Sequence, residues 1–321
     1  MQYLTILFQV SGVETNLLIP PFVAMVISFF TSMGGISGAF LLLPFQMSVL
    51  NYTSPSVSGT NHVFNITAAP SGVYSYIKEG RMAWPLTWII ITGTLPGVFL
   101  GFYIRVLYLP DPKAFKFFVG CVLLYIGLRL LKETIGKTKP AGTKALEAKF
   151  MARAKKAREQ QRTRLAAGLP PEAVVKTISI SFKKIEYEFW GEKFSFKPLV
   201  VFVLSFLVGI IGGAYGIGGG AIIAPFCISV LHLPAYSIAG ATLMGTFMTS
   251  VAGSLFYSIP IVTSGVSSMP DWPLGILFGI GGFIGMYLGA RFQKFVPQRF
   301  IKLTLGIIIV FLAIKYIIQY F

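Results

Sequence analysis

The sequence is poor in charged side chains and in the residue types that carry enzyme chemistry. Only 12% of its 321 residues are charged, Asp and Glu together number 11, and there are 2 histidines and 2 cysteines. In soluble domains about a quarter of the residues are charged. Because hydrophobic residues reach 55% and the mean hydropathy is +0.74, the composition predicts a polytopic membrane protein.

The few reactive side chains do not form a catalytic or metal-binding pattern. The apolar stretches hold no carboxylate, no pairing of Cys with His and no activated nucleophile, which disfavours a membrane-embedded enzyme. Cys121 and Cys227 both lie in apolar runs, where a free thiol behaves as a small hydrophobe. We therefore predict no catalytic residue, no cofactor and no metal ion. The N-terminus lacks a basic region followed by a small-residue cleavage site, so no cleavable signal is expected.

The positive charge is concentrated in one segment. The chain carries a net charge of +16, and half of that excess falls in residues 137–193. Positive residues mark the cytoplasmic side of a membrane protein, so this segment is predicted to be cytoplasmic, with anionic lipid as a candidate partner. No nucleic-acid recognition motif accompanies the charge, so nucleic acid is not expected to bind.

Two glycine-rich interruptions divide apolar helices. The stronger one runs from Gly212 to Pro225 and the weaker one from Gly34 to Pro44. Hydrocarbon tolerates irregular backbone only where protein buries it or a polar cavity faces it. Paired interruptions at corresponding positions of two halves are typical of the substrate site of a transporter.

Apolar stretches and helix breakers divide the chain into segments. The predicted helices of the first half are 17–33, 38–50, 56–77, 84–104 and 114–131. The helix at 38–50 carries Pro44 and is too short to cross a membrane, which suits a half-membrane or re-entrant helix. We divide the chain into an N-terminal lead-in (1–16), a first membrane repeat (17–133), a basic insertion (134–196) and a second membrane repeat (197–321). The insertion is predicted to hold a helix at 144–167, then two or three short strands with a hairpin turn at 190–193.

The second membrane stretch repeats the first. A shift of 181 positions aligns identical residues without a gap, among them Gly35 with Gly216, Pro44 with Pro225, Gly59 with Gly240 and Tyr76 with Tyr257. The stretch 259–271 carries no Lys or Arg, whereas 291–302 is basic, and this favours inverted over parallel copies. The basic loop 105–116, which this arrangement places outside, is the one observation against it. The predicted fold is an all-α polytopic membrane protein with two inverted repeats, each a glycine-broken helix pair plus three spanning helices, and a small cytoplasmic α+β insertion.

The two interruptions are the candidate substrate site. Consecutive N–H groups at a helix start, together with the positive end of the helix dipole, suit a small anion. The candidate binding residues are Gly35, Ser37, Gly38, Thr60, Asn61, His62, Asn65, Gly216, Gly218, Gly219, Gly220, Thr242 and Thr246. Small residues in membrane helices also serve close packing, and this is the role predicted for Gly93, Gly97 and Gly101. His62 could relay protons or bridge helices, and its counterpart in the second repeat is Leu243.

These motifs also carry a family resemblance. The Gly-Ile-Gly-Gly-Gly run at 216–220 with Pro225, the segments 58–61 and 239–242, and the Trp-Pro-Leu triplets at 84 and 272 resemble the TauE/SafE sulfite exporter family, also called the 4-toluene sulfonate uptake permeases. The resemblance implies a secondary transporter, and an exporter, of small sulfur-containing anions such as sulfite or organosulfonates (sulfoacetate, taurine-derived compounds) in a prokaryotic inner membrane. A passive anion channel and a carrier for another small organic anion are the alternatives.

Overall fold

The structure is a computed structural model that describes residues 4–33, 37–78, 80–135, 174–189, 191–231, 233–260, 262–263, 266–292 and 298–321. Five of its helices are long and apolar enough to cross a membrane: Trp84–Tyr108, Pro112–Lys132, Pro198–Tyr215, Ser237–Tyr257 and Trp272–Gly289. Shorter apolar helices lie beside them. This mostly helical architecture agrees with the polytopic membrane class predicted from composition.

The helices of the first half are α1 (Ile19–Met33), α2 (Ala39–Ser48), α3 (Ser56–Ala68), α4 (Pro70–Lys78), α5 (Trp84–Tyr103) and α6 (Pro112–Ile135), and a π-helix, Ile104–Tyr108, continues α5. Those of the second half are α7 (Pro198–Tyr215), α8 (Gly220–Ser229), α9 (Ala235–Tyr257), α10 (Trp272–Phe292) and α11 (Gln298–Ile318). The predicted helix at 56–77 is therefore two helices. Pro70 has no N–H to donate, so the hydrogen-bonded ladder is interrupted there.

Short strands lie outside the helices, so the all-α description is incomplete. The N-terminal lead-in forms a hairpin of β1 (Thr5–Phe8) and β2 (Val13–Asn16). The insertion forms an antiparallel sheet of β3 (Lys176–Ile180), β4 (Ile185–Phe189) and β5 (Glu192–Phe196), and a small hairpin pairs β6 (Val262–Thr263) with β7 (Val266–Ser267). The turn predicted at 190–193 is shorter than expected, because Glu192 and Lys193 already pair with β4. Gly191, whose φ is 75°, lies between the two strands. The helix predicted at 144–167 lies outside the described residues.

The basic stretch 105–116 is not a loop, and the prediction that it is one is wrong. Arg105 lies in the π-helix and is buried, while Lys113 and Lys116 lie in α6. The connection between the π-helix and α6 is only residues 109–111. The charge that argued against inverted copies therefore belongs to helix ends and not to an exposed basic loop.

Glycines let two helix pairs pack backbone against backbone. A Cβ on Gly97 of α5 would lie 2.9 Å from the Cα of Gly209 in α7, and a Cβ on Gly101 would lie 3.0 Å from the Cα of Gly213. The packing role predicted for these glycines is confirmed. In the same way α10 meets the backbone of α1, through Gly281 at Pro21, Gly285 at Met25 and Gly289 at Phe29. Because contacting residue numbers rise together, the two helices of each pair run in the same direction.

The bundle has two ends, which we name by what lies there. The linker end holds the β3–β5 sheet, where the Val175 N–H donates to the Gly80 carbonyl at 3.0 Å. The distal end lies at the other end of α5, where Arg105 donates to the Thr53 carbonyl at 3.0 Å. Ser11 of the N-terminal hairpin also lies at the distal end, with its hydroxyl 2.7 Å from the carboxylate of Asp271, at the start of α10.

The sheet is fixed to the linker end through β4. Ile185, Tyr187 and Phe189 alternate inward and are buried, and the Tyr187 hydroxyl lies 2.8 Å from the Ser237 hydroxyl in α9. Burial raises the pKa of Tyr187 well above its usual range, so this phenol stays protonated at all physiological pH values. The sheet thus joins the membrane halves, because it contacts Gly80 of the first and Ser237 of the second.

We expect Gly97→Leu to prevent the close approach of α5 and α7, because its side chain would enter the backbone around Phe206 and Gly209. Overpacking of this kind costs about 3 kcal/mol or more where backbone cannot shift. The measurement is the monodisperse fraction and the thermal midpoint of purified protein in detergent. The control is Leu100→Phe, which adds bulk at a position of the same helix that is 41% exposed. Equal stability of the two variants would contradict the packing role.

Candidate functional site

The stronger interruption separates α7 from α8 by a short glycine segment. α7 ends at Tyr215, Gly216 follows with φ 84°, and Gly218 has φ 69° before α8 begins at Gly220. Residues with a Cβ rarely adopt positive φ, so glycine is required at both positions. The surroundings require it as well, since a Cβ on Gly216 would enter the carbonyl oxygen of Ser58 and one on Gly218 would press on Thr246.

Two asparagines of α3 hold this interruption. The Nδ2 groups of Asn61 and Asn65 donate to the Gly216 carbonyl at 3.1 and 3.3 Å. The spacing of four places both amides on one face of the helix. Asn61 also donates to the Ala39 carbonyl at 3.0 Å. A single side chain therefore connects the glycine segment after α7 with the first residue of α2.

The weaker interruption meets the same face of α3. Ser37 donates from its hydroxyl to Asn65 Oδ1 at 3.0 Å and accepts from the Ala39 N–H at 3.3 Å. Gly38, which precedes α2, leaves no room for a side chain, because its Cβ would lie 2.7 Å from the Ser28 hydroxyl. Gly35 lies outside the described residues. Asn65 thus forms hydrogen bonds with both interruptions, with Ser37 of the weaker one and with the Gly216 carbonyl of the stronger one.

The start of α8 offers backbone donors. The Gly220 N–H donates to the Thr246 hydroxyl at 2.8 Å, and that hydroxyl in turn donates to the Thr242 carbonyl at 3.1 Å. The N–H groups of Gly218 and Gly219 are buried and make no hydrogen bond to any residue that the structure describes. Thr242 uses its hydroxyl within its own helix, toward the carbonyls of Ile238 and Ala239.

Sequence reasoning did not include three groups that complete this region. The Tyr215 hydroxyl donates to the Phe40 carbonyl at 2.8 Å, the Tyr257 hydroxyl to the Gly213 carbonyl at 3.0 Å, and the Ser58 hydroxyl to the Ala214 carbonyl at 2.8 Å. The carbonyls of Gly213 and Ala214 lie at the end of α7, where the helix leaves them open. The Phe40 carbonyl is open because Pro44, four residues later in α2, has no N–H to donate. Tyrosines in apolar sequence are most simply assigned to the core, so the sequence carried no clear signal for them.

Gln46 is a further polar residue of the site that sequence reasoning missed. It is fully buried in α2, and its Nε2 group lies 3.4 Å from Asn61 Oδ1. Its Oε1 atom has no hydrogen-bond partner among the described residues. The sequence does contain a signal for Gln46, because a glutamine within the short apolar run Phe40–Met47 is costly to bury unless a polar group lies next to it.

Two further predicted site residues, Thr60 and His62, have side-chain hydrogen bonds to other groups. The Thr60 hydroxyl is 2.8 Å from the Tyr52 hydroxyl and accepts from the Asp271 N–H at 2.8 Å, at the distal end. The His62 ring faces α9, with Nδ1 3.4 Å from the Ser250 hydroxyl and its edge against Gly253. The structure therefore gathers Ser37, Gly38, Asn61, Asn65, Gly216, Gly218, Gly219, Gly220 and Thr246, with Thr242 one turn away. Thr60 and His62 contact other neighbours.

Known sequences resemble this chain over its membrane-spanning parts. The sulfite exporter TauE/SafE family model matches residues 21–316. "Probable membrane transporter protein YunE" of Bacillus subtilis (strain 168) is 22% identical over 295 residues, which cover 90% of this chain and 92% of that protein. "Probable membrane transporter protein" of Xylella fastidiosa (strain 9a5c) is 23% identical over 288 residues, 88% of this chain and 87% of that one.

A plant protein matches a shorter part. "Sulfite exporter TauE/SafE family protein 6" of Arabidopsis thaliana is 32% identical over 104 residues, 32% of this chain and 22% of that protein. No solved structure matches the chain. The family match covers both interruptions and every described helix that contacts them. The chain belongs to the sulfite exporter TauE/SafE family and is an integral, multi-pass membrane transporter.

Proposed function

We propose that the protein is a secondary transporter that exports a small sulfur-containing oxyanion, sulfite or an organosulfonate such as sulfoacetate, and binds it where the two helix interruptions converge. The observation that carries this proposal is the pair of buried, unpartnered N–H groups at Gly218 and Gly219, directly before α8. A buried donor without a partner costs about 1–3 kcal/mol. An anion accepting from both groups would remove that cost and would lie at the positive end of the α8 dipole.

The neighbouring side chains would then have distinct roles. Asn61 positions the site, because both hydrogens of its amide are used by the carbonyls of Gly216 and Ala39. Asn65 has one N–H left after donating to Gly216, and this hydrogen is available to the anion. Thr246 fixes the start of α8 by accepting from the Gly220 N–H. The anion is thus bound by neutral donors, which suits a substrate that must also be released.

The arrangement of the helices supports inverted repeats. The 181-residue shift relates α1 to α7, and a shift of 188, from Trp84 to Trp272, relates α5 to α10. The α5 and α7 pair therefore corresponds to the α10 and α1 pair, and both pairs pack in the same direction through glycine. α1 begins at the distal end and α7 at the linker end. Each glycine-broken pair therefore enters from an opposite side, as alternating access between two half-sites would need. The linker end is assigned to the cytoplasm of a prokaryotic cell and the distal end to its exterior.

Proteoliposomes containing the purified protein test the function directly. We expect labelled sulfite to enter faster when the vesicles are preloaded with unlabelled sulfite, because only a carrier shows stimulation from the opposite side. A conductance that is insensitive to preloading would indicate a passive anion channel. The absence of saturable sulfite or sulfoacetate flux would overturn the proposal.

Gly219→Val should abolish transport and leave a folded protein. Gly219 has φ −77°, which any residue adopts, and its nearest neighbours are the flexible ends of Ile223 and Thr94, at 3.0 and 3.2 Å from an added Cβ. The side chain would nevertheless cover the N–H groups proposed to bind the anion. Gly218 is less suitable, since its φ of 69° strains any substitution. Wild-type kinetics in a monodisperse Gly219→Val protein would exclude the proposed site.

Thr246→Val should lower kcat/KM for sulfite by about tenfold, because the Gly220 N–H loses its acceptor and the start of α8 is no longer fixed. Thr246→Ser keeps the hydroxyl and should retain most of the activity. Thr92→Val is the matched control, since Thr92 is exposed and its hydroxyl bonds to carbonyls of its own helix. A Thr246→Val protein as active as Thr92→Val would show that the hydroxyl has no part in transport.

The orientation is tested by cysteine labelling on a background of Cys121→Ser and Cys227→Ala. Met269→Cys lies at the distal end and Phe182→Cys at the tip of the β3–β4 hairpin, at exposed positions. We expect an impermeant maleimide to label the first in intact cells and the second only after permeabilisation. Labelling of both in intact cells would contradict the assignment of the two ends to opposite sides.

A further inference from the structure

Arg105 is a buried cation without a counter-ion. It lies in the π-helix that follows α5 and has no exposed surface. Its Nη1 group donates to the Leu109 carbonyl and its Nη2 group to the Thr53 carbonyl at 3.0 Å. The guanidinium carbon lies 3.6 Å from the centre of the Phe115 ring. Local departures from α-helical geometry such as this π-helix occur frequently at functional sites.

Asp271 and Asp111, two acidic residues at the distal end, are engaged elsewhere. Asp271 accepts from the hydroxyl and N–H of Ser11 and from the Leu274 N–H. Asp111 caps α6 by accepting from the Ala114 N–H at 2.7 Å. No ion pair involves Arg105 within the part of the chain that the structure describes, and its Nε–H has no acceptor there. The charge is therefore offset only by two carbonyls and an aromatic face.

This arrangement is energetically unfavourable for a protein at rest. Burying an unpaired charge costs several kcal/mol even after the surroundings relax. The negative end of the α5 dipole and the ring of Phe115 offset part of that cost. The Nε edge of the guanidinium remains, and its geometry matches two oxygens of an oxyanion. The group that is lacking is a small anion.

We propose that Arg105 forms a second anion-binding site, at the distal end, which the transported oxyanion occupies before or after the site at the glycine interruptions. The inference rests on the proposed function, because the transported anion supplies the lacking charge. Two neighbours connect the sites. Tyr52 precedes Thr53, whose carbonyl accepts from Arg105, and its hydroxyl lies 2.8 Å from that of Thr60, the residue before Asn61. Tyr257 lies in one buried cluster with Val106, the residue after Arg105, and donates to Gly213 at the end of α7.

The structure shows this second site in a closed form. Thr53, in the connection between α2 and α3, and Phe115, in α6, both contact the guanidinium group. An anion reaches Arg105 only when the connection after α2 moves away from the π-helix. In that step Arg105 exchanges its hydrogen bond to the Thr53 carbonyl for one to the anion. Binding of the anion at Arg105 would therefore be coupled to opening of the distal end of the bundle to water.

Transport measured separately from each face tests this inference. Right-side-out and inside-out membrane vesicles containing wild type, Arg105→Gln, Arg105→Lys or Lys113→Gln are assayed with labelled sulfite. We expect Arg105→Gln to raise the KM on the distal face by about tenfold to a hundredfold, the effect of losing a hydrogen bond to a charged group, with a KM on the linker face close to that of wild type. Arg105→Lys should lie between the two. Lys113→Gln removes an exposed charge from the same end and should change neither constant.

Labelling of the wild-type protein provides a measurement that does not depend on a variant folding. Phenylglyoxal modifies accessible arginine, and peptide mass spectrometry reports the modification at Arg105. Because sulfite also consumes phenylglyoxal by adding to its aldehyde, labelling of Arg105 is divided by that of Arg81 in the same sample. We expect slow labelling of Arg105 and a ratio that sulfite lowers, with half-protection near the distal KM. No labelling of Arg105 under any condition, a ratio that sulfite does not affect, or an equal rise in KM on both faces in Arg105→Gln would overturn the inference. Wild-type vesicles without saturable flux of sulfite or of sulfoacetate would overturn the proposed function, and the inference with it.

Discussion

The hydrogen bonds of Asn61 hold the two helix interruptions together. A helix that stops inside an apolar bundle leaves carbonyls and N–H groups without partners, and no water is available there to satisfy them. Asn61 donates to the carbonyl of Gly216 after α7 and to that of Ala39 at the start of α2. Asn61 thus satisfies a carbonyl that α7 leaves open and connects it to the first turn of α2. The remaining polar contacts of the site add to this one.

The two helix ends at the stronger interruption are satisfied by opposite chemistry. α3 supplies donors, the amides of Asn61 and Asn65, to carbonyls at the end of a helix. α9 supplies an acceptor, the hydroxyl of Thr246, to an N–H at the start of one. The 181-residue shift places Thr246 at the position of Asn65. The two repeats therefore differ at this position because Asn65 faces a carbonyl and Thr246 faces an N–H group. Gly35 and Gly216, by contrast, are identical in the two repeats.

Much of this arrangement could be predicted from the sequence, because glycine, proline and polar residues are rare in apolar helices and each has a strong local effect. The ends of α1 at Met33 and of α7 at Tyr215 follow directly from the glycines beyond them. The spacing of four between Asn61 and Asn65 correctly indicated a shared polar face. The carbonyls that accept from these amides could not be predicted, because every residue has a backbone carbonyl and the sequence does not show which of them a side chain will reach.

The sequence pattern does not separate the helix faces on which Thr60 and His62 lie from that of Asn61. Consecutive residues of a helix point about 100° apart, so Thr60, Asn61 and His62 cannot all face one neighbour. The structure directs Thr60 to Tyr52 and His62 to Gly253. Arg105 was missed for a different reason. A charged residue at the end of an apolar run is normally assigned to a loop, and only the π-helix and the Thr53 carbonyl reveal that it is buried.

The distribution of charge suits the carrier that we propose. A full positive charge at the centre of the bundle would bind an anion tightly in a medium of low dielectric constant and slow its release. Neutral donors at Gly218, Gly219 and Asn65 would bind it more weakly, at a site that Asn61 keeps preformed. The one buried cation among the described residues of the distal end, Arg105, lies where the path would open to water, and there solvent screens the attraction once the anion departs. Strong electrostatic attraction is thus confined to the place where water can weaken it.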